Sequence, residues 1–293
     1  MVGTAAIMVL VSGFIHASWN ILARRSGAET QFISRMLPIL AGVGLVPALI
    51  GQYLTGSVRG WAWVYVLGSG LCCGFYFVSL GRAYESADFT TVYPVARALP
   101  VLLVAVGDSL RGIVPSGLGW LGMAMVVSGC IVAPLRTRRD LRLGQYFNRA
   151  SLWMVLTALG TVGYSLLDKR GAELLIPGPV SAVIYSYFFY AFAFVGYEIF
   201  SRVMLSPARR AAPPTTPLWL PTTAGFMSYA AYVLVVWAFQ MVPHASYVVA
   251  FRQSSLIIAV LMAFALYAEE RHWSRLISVL IITAGLVLIT LGG

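Results

Sequence analysis

The 293-residue chain predicts an all-α membrane protein: ten transmembrane helices in two inverted five-helix repeats around a central cavity. Three observations predict it. Hydrophobic residues make up 59% of the chain against 10% charged, and mean hydropathy is +0.83, outside the range of a soluble domain. Apolar stretches long enough for a bilayer core, about 20 residues each, follow one another with short gaps. The last third repeats the plan of the middle third: Arg97 in Tyr93-Pro94-Val95-Ala96-Arg97 and Arg252 in Val249-Ala250-Phe251-Arg252-Gln253 lie 155 residues apart, each inside an apolar run.

The predicted helices fall at 3–23, 31–53, 61–82, 91–110, 118–135, 150–168, 180–204, 218–240, 246–268 and 275–292. The first has no basic segment before it and carries His16 and Asn20 where a signal peptide is plainly apolar, so it reads as a span. Ser12, His16 and Asn20 recur every four residues as one polar stripe, with Trp19 beside it. Ser12 reads as a packing hydroxyl; His16 reads equally as an imidazole bonded across helices or, at mid-depth, as a proton carrier. The third helix holds Tyr76 and the adjacent Cys72 and Cys73, which read, with Cys130, as small buried hydrophobes. The fourth offers Tyr93, Pro94, Arg97 and Pro100, where two prolines weaken the backbone ladder around the arginine. A guanidinium at that depth is costly to bury in lipid, so Arg97 is expected to face a cavity.

Residues 136–149 form a basic linker between the first repeat, 1–135, and the second, 150–293. Five is odd, so the second copy enters the membrane in the opposite sense. Trp19 through Arg25 can be laid over Tyr164 through Arg170, a second match at an offset of 145. The sixth helix carries Thr157, Thr161, Tyr164 and Asp168 on one face; Asp168, beside Lys169 and Arg170 where the helix is expected to end, reads as an interfacial ion pair. Glu198 and Arg202 on the seventh read as a surface pair. Tyr232 on the eighth lies deep enough to line a cavity. The ninth repeats the arginine motif as Arg252 and Gln253.

Net charge is +10, and 19 of the 20 basic residues are arginine. Loops after odd-numbered helices hold twelve of them, and loops after even-numbered helices hold Arg59, Arg111, Lys169 and Arg170. Such an asymmetry orients a membrane protein; it does not indicate nucleic-acid binding, and it predicts both termini outside the cytoplasm.

Gly13 through Asn20, Tyr93 through Arg97, Arg252-Gln253-Ser254-Ser255, Glu269-Glu270-Arg271 and Ala284-Gly285, in that order, resemble the EamA-type branch of the drug/metabolite transporter superfamily over essentially the whole chain. The resemblance implies alternating-access carriage of small organic solutes across a bacterial cytoplasmic membrane, with export as the direction, and cytoplasmic termini, against the arginine count. The chain departs from the family after its fourth helix, where Leu110-Arg111-Gly112 stands in place of an acidic residue. In the smaller relatives, the small multidrug resistance proteins, a glutamate precedes a basic residue of helix one by eight positions; counting back from Arg24 gives His16, so that coupling carboxylate is missing.

The expected solute site comprises Arg97, Arg252, His16, Trp19, Asn20, Tyr76, Tyr93, Tyr164, Tyr232 and Gln253. Guanidinium forks suit carboxylate or phosphate, so the cargo is expected to be anionic or zwitterionic, amino acids included. The alternative is a flippase for a lipid-linked or phosphate-bearing headgroup. Expected partners are a small-molecule substrate, membrane lipids and a coupling proton or sodium ion; no nucleic acid, metal or cofactor is expected. No HExxH, GxSxG or P-loop occurs, so neither an enzyme nor a nucleotide-driven pump is predicted.

Overall fold

With few charges to interrupt them, the apolar segments fold as helix, and no strand forms among the described residues. The structure, a computed structural model, describes residues 3–24, 29–86, 89–133, 149–207, 216–258, 261 and 273–292, with the side chains of 21–24, 29–31, 84–86, 89–95, 149–150 and 273 outside that description. Its helices are α1 (Gly3–Arg24), α2 (Glu29–Val43), α3 (Leu45–Thr55), α4 (Ala62–Ser86), α5 (Phe89–Leu110), α6 (Gly117–Val132), α7 (Arg149–Glu173), α8 (Pro179–Met204), α9 (Trp219–Met241), α10 (Ala245–Phe251) and α11 (Trp273–Gly292). Helix lies within each of the ten predicted segments. Among the described residues, five helices are long and apolar enough to cross a membrane (α4, α7, α8, α9 and α11), or six if the bent pair α2–α3 is one span. α6, with 16 residues, is apolar but shorter than that, and α1 carries Ser12, His16 and Asn20 along its length.

The outer surface is apolar. Ile7, Phe14, Leu49, Val64, Leu110, Val203 and Leu280 are all exposed, a pattern that suits hydrocarbon better than water. The α2–α3 bend of 47° has a local cause. The Tyr187 ring lies where a Gly44 side chain would be, 2.6 Å from an ideal Cβ, and the Tyr187 hydroxyl donates to the Ala41 carbonyl at 2.6 Å. A wedge at glycine, followed by Pro47 with no N–H, opens the ladder while tyrosine satisfies a freed carbonyl.

Close approaches at small residues give the helix directions. Along α4, Gly68 meets Leu167 while Cys72 and Tyr76 meet Gly163 and Gly160, so α4 and α7 are antiparallel. Gly70 meets Phe189 and Phe192, and Gly74 meets Ala193 and Tyr197, so α4 and α8 are parallel. On α6 and α11 the approach is reciprocal. A Cβ on Gly122 would lie 2.6 Å from the Gly285 carbonyl oxygen, and one on Gly285 would lie 2.6 Å from that of Gly122. Gly129 faces Ser278 and Ile282, and Gly292 faces Ser116 and Gly119; α6 and α11 are antiparallel. The most extensively packed helix pairs are α4 with α7, α6 with α11, α4 with α8, and α1 with α9.

Candidate functional site

The ninth segment, expected to run unbroken, is interrupted at its arginine. α10 stops at Phe251, and the chain tightens: the Gln253 N–H donates to Ala250 O at 3.0 Å and the Ser255 N–H to Arg252 O at 3.2 Å. The reason lies in the side chains. The Gln253 amide donates to the Val249 carbonyl at 3.2 Å, taking the place its own backbone N–H would hold in an α-helix, and the Ser255 hydroxyl donates to Arg252 O at 2.8 Å. The prolines of the fourth segment have no such effect, since α5 is continuous through Pro94 and Pro100. α1 comes close to the break, where a Cβ on Gly13 would lie 2.7 Å from Ser254 Oγ.

Arg97 of α5 reaches the break. Its Nη1 donates to Ser255 Oγ at 3.2 Å and to Gln253 Oε1 at 3.5 Å, and its Nη2 faces His16 Nε2 at 3.5 Å. Trp19 Nε1 donates to the other ring nitrogen of His16 at 3.2 Å, and the two rings meet edge to face with centroids 5.2 Å apart. Both His16 nitrogens therefore face groups that can only donate. A neutral imidazole accepts at one nitrogen alone, so the other presents an N–H toward a donor. Arg97, Arg252 and His16 are each partly accessible, whereas Trp19 and Gln253 are buried. Asn20 turns back on its own helix, donating to His16 O at 2.7 Å. The Tyr93 side chain lies outside the described residues.

Arg252 belongs to a second, adjoining cluster. Its guanidinium carbon lies 5.8 Å from the Tyr164 ring centre and 5.7 Å from that of Tyr232, both cation–π distances. Tyr76 meets Tyr164 at 5.9 Å, and Phe189 stacks on Tyr232 at 4.2 Å. Among the described residues no carboxylate pairs with Arg252. The predicted site thus divides into Arg97, His16, Trp19 and Gln253 on one side and Arg252, Tyr76, Tyr164 and Tyr232 on the other, joined through the Arg252–Gln253 peptide.

Asp168 requires a correction. The expectation of an interfacial ion pair rested on a helix ending at 168, but α7 continues to Glu173, which places Asp168 more than a turn inside it. The side chain is fully buried, and its oxygens accept from the Tyr185 hydroxyl at 2.9 Å and from the Tyr232 hydroxyl. Its basic neighbours turn elsewhere. Lys169 Nζ donates to the Phe239 and Val242 carbonyls at 2.7 and 2.5 Å and lies 3.3 Å from Glu173, which also takes Arg111 at 2.8 Å and Arg170 at 3.4 Å. Ser255 and Tyr185 were likewise absent from the expected site. For Asp168 the signal was present: it continues the stripe of Thr157, Thr161 and Tyr164. Ser12 is the packing hydroxyl expected, bonded to Ala231 O at 2.7 Å, and the exposed Glu198–Arg202 pair lies at 3.8 Å. Cys72, Cys73 and Cys130 are free thiols, and no metal-binding group forms among the described residues.

No family model matches the chain, and no curated protein does. The fold itself is known. One protein of solved crystal structure superposes with a TM-score of 0.71, covering 99% of this chain and 98% of its own at 18% identity. Likeness at that identity concerns architecture, and the chemistry of the site must be argued from the residues above.

Proposed function

We propose that the protein is a secondary transporter moving small anionic or zwitterionic metabolites, amino-acid-like solutes foremost, across a bacterial cytoplasmic membrane by alternating access, in the exporting direction. The membrane unit is ten spans in two inverted five-helix repeats, as in the EamA-type carriers the sequence resembles. Antiparallel α6 and α11, the fifth and tenth segments, support the inversion, as do antiparallel α4 and α7 beside parallel α4 and α8. Broken helices lining a midplane site are a recurrent device of such carriers.

One observation carries the cargo assignment. Arg97 Nη2 and the His16 ring nitrogen face each other at 3.5 Å while Trp19 occupies the other nitrogen, so N–H donors from three side chains converge on one place. A carboxylate or phosphate oxygen entering there accepts from both, and Arg252 adds a second fork next to it. A tightly held anion also offsets the expense of two guanidiniums in an apolar bundle.

The test is solute binding to purified protein by thermal shift and calorimetry against α-amino acids, dicarboxylates, phosphate esters and organic cations. Amino acids or other anions are expected to stabilise the wild type. Arg97→Lys, which keeps the charge and loses the fork, should weaken that binding by about tenfold, equivalent to roughly 1.4 kcal/mol, and Arg97→Ala should abolish it in a protein that stays folded. Binding of organic cations alone sinks the proposal. Selective binding of lipid-linked phosphates would favour the flippase alternative.

A further inference from the structure

We propose that Asp168 is the protonation site that couples transport to a proton gradient, and that Tyr232 relays its state to Arg252. The inference rests on the carrier reading above. Asp168 has no exposed surface, no cation within ion-pair distance among the described residues, and two tyrosine hydroxyl donors. An ionised carboxylate in an apolar interior without a paired cation is costly, and taking up a proton is the ordinary way such a group relieves the penalty. Lys169 and Arg170, one and two positions further on and so on other faces of α7, are held by Glu173 and give Asp168 no counter-ion.

The surroundings define what the group senses. α4 presents Ser69 and the Cys72 and Cys73 thiols, α8 presents Tyr185, α9 presents Tyr232, and Arg252 faces it from the break after α10. On α7 itself Lys169 and Glu173 follow one turn on, and Arg111 and Asp108 of α5 complete that polar cluster. Tyr232 is the shared element: its hydroxyl donates to Asp168 while its ring lies under Arg252. The step is simple. A proton from one aqueous phase forms an O–H bond at Oδ2 and cancels the carboxylate charge, and later leaves to the opposite phase. While it is bound, Oδ2 is a donor, so its hydrogen bond with the Tyr232 hydroxyl must reverse direction, and that rearrangement reaches the Tyr232 ring on which Arg252 rests.

The test has two arms. In infrared difference spectra of purified protein taken across a pH titration, wild type and Asp168→Glu should show the carbonyl stretch of a buried neutral carboxylic acid appearing as pH falls. Asp168→Asn should lack that band, and the tyrosine C–O stretch altered in Tyr232→Phe should shift in step with it. In proteoliposomes loaded with a radiolabelled mixture of the protein amino acids, an imposed pH gradient should raise wild-type flux at least tenfold. It should leave Asp168→Asn unresponsive, with the response restored in Asp168→Glu. The inference is overturned by a band that persists in Asp168→Asn, by a pH response that survives there, or by flux driven by sodium alone. Should the band depend on Asp168 while no flux occurs with any solute, the protonation site stands and the carrier reading fails.

Discussion

Lys169 shows how this sequence handles charge one residue at a time. Its ammonium group is buried, donates to two carbonyls at the end of α9 and leans on Glu173 at 3.3 Å. Lys169→Met keeps the stem but strands both carbonyls and removes one cation from Glu173. Leaving buried polar groups unsatisfied costs about 2–4 kcal/mol, so a clear fall in thermal stability in detergent is expected. Arg202→Met provides the contrast, since its exposed partner Glu198 lies at 3.8 Å; there a change below about 0.5 kcal/mol is expected. Equal losses in the two variants would show that the α7–α9 contact does not depend on the ammonium. Asp168, one residue earlier, is the reverse case: a buried charge lacking the ion partner that Lys169 has. That contrast is why a coupling role is assigned to one and a structural role to the other.

At the scale of elements, the α6–α11 crossing makes the sharpest prediction. Gly122 and Gly285 each bring a backbone carbonyl to 2.6 Å from the other's Cβ position, so alanine at either must push two main chains apart. Gly122→Ala and Gly285→Ala should each cost about 1–3 kcal/mol by thermal unfolding, and the double variant less than the sum, because one displacement serves both. Cysteines at Gly129 and Ser278 should cross-link, as should a pair at Ser116 and Gly292, whereas Ser116 with Ser278 should not. Cross-linking of that last pair would contradict the antiparallel arrangement.

Helix positions were legible from apolar length, but the glycines of this crossing were not, because nothing in a hydropathy profile separates a contact glycine from any other small residue. The break at Arg252 was not legible, because hydropathy averages over a segment and does not register a glutamine amide replacing a backbone bond. Asp168 was misplaced for a similar reason. Its basic neighbours suggested a helix end, yet Lys169 is solvated by carbonyls of α9, a long-range contact that no local pattern encodes. The arginine pair was legible because charge in an apolar run is expensive wherever the helix turns it, but the division into two clusters was not.

Orientation belongs to the whole molecule. The sequence count set twelve loop basics against four, and the structure removes one of the four, since Lys169 is buried within α7. The ends of α5 and α7 therefore carry the poorer side, with Arg111 and Arg170 both held by Glu173. The positive-inside rule counts basic residues in short loops, so the imbalance sharpens and the termini are expected outside the cytoplasm, against the family expectation. Alternation of helix direction then sets Asp168, one turn from the end of α7, toward the outer face, where an inward proton gradient would reach it before Arg252. Both statements stand or fall on one measurement. A phosphatase reporter at the carboxyl end should be active in intact cells and a fluorescent one dark. The opposite pair of results would refute the charge argument and place Asp168 toward the cytoplasm, and the proton it takes up would then have to travel the length of the bundle past Arg252 before reaching it.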